Sequence, residues 1–307
     1  MTDCVYDPQT CTGCGACAAR CPQRAIRMEI GEEGFVWPVV DTDKCVGCGL
    51  CARICPAEHP VCENAEKPEC LAAVAADELR RDSSSGAVFP LLAERVLQEG
   101  GTVFGAARDE DGTVRHIGVD DLDGLRKLKS SKYVQSETGN CYRQAEELLK
   151  AGREVLFSGT PCQIAGLNAF LGRKYDNLLT VDVVCHGVPS PLAFRRYAEE
   201  LTEEGKEKVL AVNFRDKVRG WYPYFLTVKT EENVYSSDCR ENEFMRAFLA
   251  NLCLRKSCAA CPFARFPRQG DLTLGDFWGI GRHAPDLDDN LGTSLVLINT
   301  ERGRRRN

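Results

Sequence analysis

After residue 87, apolar residues follow a strand-like pattern in some stretches of the chain and a helix-like pattern in others. Short apolar runs typical of buried strands are separated by stretches in which apolar residues recur at helical spacing. The pattern predicts strands at 102–108, 114–119, 154–158, 178–184 and 294–299, helices at 88–98, 142–150, 163–171, 191–203 and 241–252, and a hairpin that pairs 224–228 with 234–236. Ser190 stands where the N-cap of the helix at 191–203 is expected. This alternation predicts an α/β region with a mixed sheet.

The first 70 residues follow a different pattern. Residues 25–30 and 35–40 alternate like two strands around the turn 31–34, which predicts a hairpin. Residues 57–70 contain two prolines and four glutamates and predict a linker. We therefore expect an α+β protein with two domains, residues 1–62 and residues 63–307.

The chain ends shortly after the last predicted strand. Residues 302–306 contain four arginines and predict no closing helix. We therefore expect the second domain to be truncated at its C-terminus.

Charge and hydropathy exclude several functional classes. The net charge of -6 gives no attraction to nucleic acid or to an anionic membrane surface. No apolar stretch approaches the ~20 residues that span a bilayer. Residues 1–6 lack the basic start and apolar core of a secretory signal. We expect a cytoplasmic protein with no membrane span that binds no nucleic acid.

The cysteines are concentrated at one end of the chain. Of the 18 cysteines, eleven lie in the first 70 residues. Disulfide scaffolds are typical of small secreted domains, and this chain has neither a signal peptide nor small size. Metal ligation therefore explains the concentration better. Cys4, Cys62 and Cys70 fall outside the repeated motif described next and are interpreted as bystanders.

One cysteine motif occurs twice. Its pattern is C-x2-C-x2-C-x3-C-P, and both copies have glycines between the first three cysteines. This pattern is typical of two-cluster 4Fe-4S ferredoxins, in which the fourth cysteine of each run binds the other cluster. Structural zinc sites use isolated C-x2-C pairs, so the third cysteine and the proline argue against zinc. The predicted ligands are Cys11, Cys14, Cys17 and Cys55 for one cluster and Cys45, Cys48, Cys51 and Cys21 for the other.

Two polar segments are candidates for binding a nucleotide. The run Asp-Ser-Ser-Ser-Gly-Ala at 82–87 is expected to follow a strand and to open a helix, and helix starts attract phosphates. The serines can equally well serve only as helix caps. The segment 128–136 combines hydroxyls, an amide, an aromatic ring and two ammonium groups, which suits a flavin nucleotide. A charged, solvated loop has the same composition.

Four later cysteines are candidates for a third cluster. Cys162 and Cys185 each follow a predicted buried strand, and Cys258 and Cys261 form a close pair after a helix. Ligand sites in α/β folds lie at the carboxyl ends of strands. Two single cysteines and one pair can supply four thiolates, with Cys253 as the substitute for a wrongly assigned ligand. The alternative is that Cys162 and Cys185 are small buried core residues.

These motifs together resemble the coenzyme F420 hydrogenase/dehydrogenase beta subunit family. The resemblance runs from about Cys11 to Thr300. It rests on the two cysteine motifs and on the ordered segments 83–86, 131–136, 159–163, 185–190, 213–217, 257–261 and 275–279. It implies a bacterial-ferredoxin-like domain followed by a mixed-sheet α/β flavin-binding domain, with FAD and a third 4Fe-4S cluster. Members of the family pass electrons between F420 or ferredoxin and a partner redox protein or small substrate.

The resemblance also suggests roles for individual polar residues, although it identifies no catalytic residue. The residues implied to hold FAD are Ser84, Ser85, Gly86, Ser131, Lys132, Tyr133, Gln135, Ser136 and Thr160. Arg215 and Lys217 are implied to contact flavin or substrate. A bulky side chain at Gly86 is expected to block FAD.

Three functions remain at this point. The first is an iron-sulfur flavoprotein oxidoreductase that uses ferredoxin or F420 as electron donor or acceptor. The second is a non-catalytic electron-relay subunit of a larger redox complex. The third is a zinc-stabilised interaction protein.

Overall fold

The computed structural model describes residues 7–109, 111–203 and 205–306. The strands are β1 (Ile26–Ile30), β2 (Val36–Val40), β3 (Glu69–Ala73), β4 (Thr102–Arg108), β5 (Val114–Val119), β6 (Val155–Gly159), β7 (Leu178–Val183), β8 (Val209–Asp216), β9 (Phe225–Thr230), β10 (Val234–Asp238), β11 (Leu272–Asp276) and β12 (Ser294–Ile298). The α-helices are α1 (Ala16–Arg20), α2 (Leu50–Arg53), α3 (Asp77–Arg81), α4 (Val88–Gln98), α5 (Leu122–Leu128), α6 (Cys141–Lys150), α7 (Pro161–Leu171), α8 (Pro191–Leu201), α9 (Glu243–Leu249) and α10 (Glu301–Arg306).

A seven-stranded sheet lies at the centre of the second region. Its strand order is β3-β12-β11-β7-β6-β4-β5. The four inner strands β11, β7, β6 and β4 are parallel, and β5, β12 and β3 pair antiparallel at the two sides. The expected mixed sheet is therefore confirmed.

Alternating side chains of the parallel strands build two core layers. Val103 and Leu156 point towards α4 and α5 on one face of the sheet. Phe104 and Phe157 point towards α6 and α7 on the other face. Because successive side chains of a strand face opposite ways, strands buried on both faces read as continuous apolar runs in the sequence.

The N-terminal segment consists of two cysteine loops, each continued by a short helix, with the antiparallel hairpin β1-β2 between them. Helix α1 buries Ala16 and Ala19 in the same core layer as α6 and α7. The N-terminal segment therefore packs directly on one face of the large sheet.

A second, smaller sheet is formed by β10-β9-β8, all antiparallel. Its core combines Phe214 and Leu226 with Phe244, Met245 and Phe248 of α9. Helix α8 begins after Ser190, whose Oγ accepts hydrogen bonds from the backbone N–H groups of Leu192 and Ala193. The predicted cap is therefore confirmed, and the two N–H groups it satisfies have no partner within the helix.

The structure corrects four expectations from the sequence. The predicted linker 57–70 ends inside strand β3. The serine run follows helix α3 and not a strand. Strands β8 and β11 and helix α5 were not predicted. The arginine-rich end forms helix α10, in which Arg306 pairs with Glu99 and Glu154.

In the described part of the chain, no helix is both long and apolar enough to cross a membrane.

Candidate cofactor cavity and cysteine sites

A cavity of about 720 Å³ lies at the carboxyl ends of the parallel strands. Thr160 follows β6, Cys185 follows β7, and Asp276 ends β11, and all three line this cavity. The start of α4 and the segment 128–136 form other parts of the wall. Ligand sites of α/β folds are expected at this edge of the sheet.

Most of the residues predicted to hold FAD meet in this cavity. They come from three segments that are distant in the sequence and from strand β8. Those in the wall are Ser84, Ser85, Ser131, Lys132, Tyr133, Gln135, Ser136, Thr160 and Arg215. Gly86 and Lys217 are the two predicted residues outside the lining.

Gly86 is held by the sheet. Its N–H donates to Oγ of Ser294 at 3.0 Å, and its carbonyl oxygen accepts from the N–H of Ala75. A Cβ at this position would collide with the carbonyl oxygen of Ala73 and lie 2.6 Å from the backbone nitrogen of Ser294. Any larger residue would therefore disturb the sheet itself, so loss of FAD in such a variant would not locate the flavin.

Lys217 supports the cavity wall from behind. Its ammonium donates to the carbonyl oxygens of Arg80 and Leu291, both at 2.6 Å, and to that of Ser85 at 3.0 Å. Burial and the nearby charge of Arg215 lower the pKa of Lys217 to about 8. The ammonium of Lys217 therefore fixes the serine loop by binding backbone carbonyl oxygens, and the lysine itself does not reach the cavity.

Arg215 carries a buried positive charge into the cavity wall. Its Nη1 pairs with Asp276 at 2.9 Å, and its Nη2 donates to the carbonyl oxygen of Ser84 at 3.3 Å. The guanidinium carbon lies 4.1 Å from the ring centroid of Tyr224. The buried Nε finds no hydrogen-bond acceptor among the described residues. A buried donor without a partner is unfavourable, and a ligand with acceptor atoms in the cavity would satisfy it.

The hydroxyl of Ser84 joins the two polar segments. Its Oγ accepts hydrogen bonds from the backbone N–H and the Oγ of Ser131, at 2.8 and 2.9 Å. Helix α4 follows this loop with Ala87 at its N-cap in a left-handed conformation, and no side chain caps the helix. The serines are therefore not the helix caps of the alternative interpretation, and the start of α4 faces the cavity through Val88 and Phe89.

Lys132 and His116 form a polar part of the wall. The Lys132 ammonium donates to the carbonyl oxygens of Lys127, Lys129 and Ser130, and burial lowers its pKa to about 7. His116 was not predicted from the sequence. Only its position in β5, where a polar residue falls on a buried face, could have indicated it.

His116 is held in one tautomer. Its Nε2 lies 3.0 Å from the carbonyl oxygen of Ser158 and therefore donates to it, and its Nδ1 accepts from Oγ of Ser136 at 2.7 Å. Burial lowers the pKa of His116 to about 4. The ring is therefore neutral and orients the Ser136 hydroxyl.

The N-terminal cysteines fall into two groups. Cys14 interacts electrostatically with Cys11 and Cys55. The second set lines a small cavity of about 100 Å³, and its members are Cys21, Cys45, Cys48 and Cys51. Glycines 13, 15, 47 and 49 have φ between 66° and 80°, a conformation that lets each loop turn around a common point.

The four later cysteines also come together. Cys162 and Cys185 follow the neighbouring parallel strands β6 and β7, and the loop with Cys258 and Cys261 folds over that edge. Burial and the three other thiols raise the pKa of Cys185 to about 12. Cys253 instead packs beside the apolar core of the small sheet.

Among the described residues, Cys62 and Cys70 lie outside these groups. Cys62 donates its thiol to the carbonyl oxygen of Arg268, and Cys70 is exposed on β3. Cys4 lies outside the described residues.

Within the described ranges, no three His, Cys, Asp or Glu side chains are spaced to hold a metal ion. A zinc ion binds its thiolates at only about 2.3 Å and so demands closer spacing than a cube of four irons.

The first cysteine set lies next to the cavity. Thr12 and Gly13 of its loop line the cavity, and Cys14 interacts with Cys162. Oγ1 of Thr138 donates to the carbonyl oxygen of Cys14 at 3.0 Å. Two predicted cluster sites therefore adjoin the cavity that collects the predicted flavin residues.

Comparisons with known proteins identify two family models that match the chain. The family model for the C terminus of the coenzyme F420 hydrogenase/dehydrogenase beta subunit matches residues 152–306, and a 4Fe-4S dicluster domain model matches residues 10–59. A search of the curated proteins finds no significant match.

A solved structure with a similar fold is a chain of the F420-reducing [NiFe] hydrogenase complex from Methanosarcina barkeri. The TM-score is 0.52 at 17% sequence identity, over 79% of this chain and 78% of that chain. This similarity confirms the fold class. With the family match over half of the sequence, the chain belongs to the coenzyme F420 hydrogenase/dehydrogenase beta subunit family and carries a 4Fe-4S dicluster domain near its N-terminus.

Proposed function

We propose that this chain is an iron-sulfur flavoprotein oxidoreductase that passes electrons between ferredoxin or reduced F420 and a partner protein or small substrate. The observation that carries the proposal is the cavity at the carboxyl ends of β6, β7 and β11. Its wall combines nine predicted flavin-binding residues with Cys162 and Cys185 of the predicted third cluster site.

The cavity wall suits FAD in three respects. Its volume of about 720 Å³ is in the range of cofactor sites. The uncapped start of α4 offers backbone N–H groups to a pyrophosphate. The unpartnered Nε of Arg215 can donate to an acceptor on the ligand. Bound FAD would supply the exchange between one-electron and two-electron chemistry.

Replacement of Arg215 tests the flavin site. We expect Arg215→Met to lose most of its FAD, because the variant removes a cation and a free donor from the cavity wall. The measurement is the ratio of released FAD to protein after anaerobic purification. Arg219→Met is the matched control, because Arg219 is exposed and outside the cavity. Full FAD retention by a folded Arg215→Met variant would exclude this cavity.

We further propose three 4Fe-4S clusters, held by the cysteine sets predicted above. Anaerobically purified protein should contain about twelve iron atoms per chain. Single replacement of Cys162, Cys185, Cys258 or Cys261 by Ala should each remove about four of them, and Cys48→Ala should remove about four from the second set. Cys253→Ala is the control and should keep all the iron. Eight iron atoms in the parent protein would exclude the third cluster.

The proposed domains remain residues 1–62 and 63–307. Backbone and side-chain hydrogen bonds to the segments flanking β11 and β12 lie close to this boundary. Nδ2 of Asn64 donates to the carbonyl oxygen of Gly270 at 3.0 Å, and the N–H of Ala65 donates to that of Asn299 at 3.1 Å.

A relay subunit without turnover of its own is the second candidate. The observation in its favour is the exposure of the second cysteine set, where Cys48 is exposed and Val46 is 67% exposed. A redox partner could approach the proposed cluster there. Steady-state turnover by the isolated chain with a soluble donor and acceptor distinguishes the two functions, because a relay would turn over only in complex with its partner.

A further inference from the structure

The largest fully buried side chain among the described residues is a cation, Arg255. It lies at the contact between the N-terminal segment and the rest of the chain. Its Nε donates to the carbonyl oxygen of Cys11 at 2.8 Å, and its Nη1 donates to that of Val36 at 3.1 Å. The guanidinium carbon lies 3.7 Å from the ring centroid of Trp37. The charge is therefore enclosed by the hairpin and the first cysteine loop.

No Asp or Glu of the described residues forms an ion pair with this buried charge. The neighbouring Lys256 is 52% exposed and pairs with Glu33 at 3.3 Å, so the available carboxylate goes to the other cation. A buried guanidinium without a counter-charge is strongly unfavourable, and arginine does not lose its proton to escape the cost.

The acidic groups that face Arg255 are thiols of two different cysteine sets. Its Nη2 lies 3.8 Å from Sγ of Cys11, which belongs to the first set. It also interacts electrostatically with Cys162 and Cys258 of the third set. As metal ligands these sulfurs are thiolates, so each filled site would bring negative charge towards the guanidinium.

From this position we propose that Arg255 is a fixed counter-charge shared by the first and third cluster sites, and that it raises the reduction potential of both. The inference rests on the proposed ligand sets. Reduction adds one electron, and hence one negative charge, to a site. A nearby cation that cannot be neutralised favours the reduced state, and net charge is one of the main determinants of cluster potential. The contacts of Arg255 described above reach only the first and third sets, so the second set serves as an internal reference.

The test is an EPR-monitored redox titration of the anaerobically purified holoprotein. In Arg255→Gln, we expect the midpoint potentials of the first and third clusters to fall and that of the second cluster to stay. A Cys48→Ala background, which removes the second cluster, identifies its signal. Lys256→Gln is the matched control, because it removes an adjacent but exposed cation, and it should shift none of the three potentials.

Arg255→Lys separates charge from anchoring. Lysine keeps the positive charge but lacks the two guanidinium donors that bind the carbonyl oxygens of Cys11 and Val36. The proposal therefore expects reduction potentials close to those of the parent protein. Equal shifts in the Gln and Lys variants, or no shift in the Gln variant, would overturn the proposal. If the Arg255→Gln variant loses iron, the proposal requires that the Arg255→Lys variant retains its iron. Loss of iron from both variants would also overturn the proposed role of the charge. Eight irons in the parent would instead exclude the third cluster itself.

Discussion

His116 illustrates how burial determines the chemistry of a single residue. Its ring stacks on Phe157 with centroids 5.6 Å apart, and both ring nitrogens are hydrogen bonded. Burial disfavours the charged imidazolium, and the neighbouring ammonium of Lys132 adds to this effect, so the pKa falls to about 4. The ring can then act as a neutral acceptor for the hydroxyl of Ser136.

This pKa predicts a loss of stability in mild acid. In the unfolded chain a histidine has a pKa of about 6.5, so between pH 6.5 and 4 the unfolded state binds a proton that the folded state does not. Stability therefore falls as the pH drops through 6.5, by about 2 kcal/mol at pH 5.

The measurement is the anaerobic unfolding midpoint at pH 7 and pH 5. The decrease should be smaller in His116→Gln, and the exposed control His59→Gln should behave like the parent protein. Equal decreases in all three proteins would contradict the assignment to His116.

At the same scale, residue type and spacing were enough to propose the cysteine sets, because a cube of four irons limits how its ligands can be arranged in sequence. Arg255 had no such signal. An arginine three positions before a cysteine is usually solvated, and only the packing of the hairpin over it shows that its charge is buried.

At the scale of elements, the loop between α3 and α4 depends on a close approach of three segments. Gly86 lies against the paired ends of β3 and β12, where its N–H donates to Oγ of Ser294 and its carbonyl oxygen accepts from the N–H of Ala75 just after β3. Ser84 and Ser85, which precede the glycine, can line the cavity because the glycine itself occupies so little room.

Gly86→Ala should therefore destabilise the fold before it affects any ligand. The added methyl group would lie 2.6 Å from the backbone nitrogen of Ser294, so the loop would have to move away from the ends of β3 and β12. We expect a loss of about 1–3 kcal/mol in the free energy of unfolding, measured by denaturant titration. Arg81→Ala, at an exposed position of α3, should change it by less than about 0.5 kcal/mol. A stability equal to that of the parent protein would show that the loop can move aside.

Elements with a clear hydrophobic period were predicted with nearly the right bounds, and elements without one, such as β3, were missed. Helix α4 and strands β4 and β5 match their apolar patterns residue for residue. Strand β3 was missed because five partly exposed residues between prolines and acidic residues carry no strand pattern. It is a strand only because β12 offers it an unpaired edge.

At the scale of the whole molecule, the first cysteine loop docks on helix α7 where that helix carries a glycine. A Cβ at Gly166 would lie 3.0 Å from Sγ of Cys14 and 2.9 Å from Oη of Tyr142. This gap lets the N-terminal segment approach the cavity closely, which places its first cysteine set beside Cys162.

Gly166→Leu should separate the two parts of the molecule. A leucine would occupy the space of the Cys14 side chain, so we expect loss of about four irons and faster proteolytic cleavage between residues 57 and 68. Iron analysis and limited proteolysis measure these effects. Asn168→Leu is the control, because Asn168 is exposed on the same helix. Unchanged iron content in a folded Gly166→Leu variant would contradict this docking.

The sequence by itself determined the cysteine sets of the dicluster motif, the central strands and long helices, and the family, because each depends on local spacing or on a periodic pattern. Only the tertiary structure decided which polar segments share one cavity, that Gly86 and Lys217 support its wall from outside, and that His116 belongs to it. These relations depend on strand order and on packing between segments more than 40 residues apart along the chain, for example Ser84 with Ser131. The burial of Arg255 between two cysteine sets has the same origin, since a charge becomes isolated from solvent only when separate parts of the chain close around it.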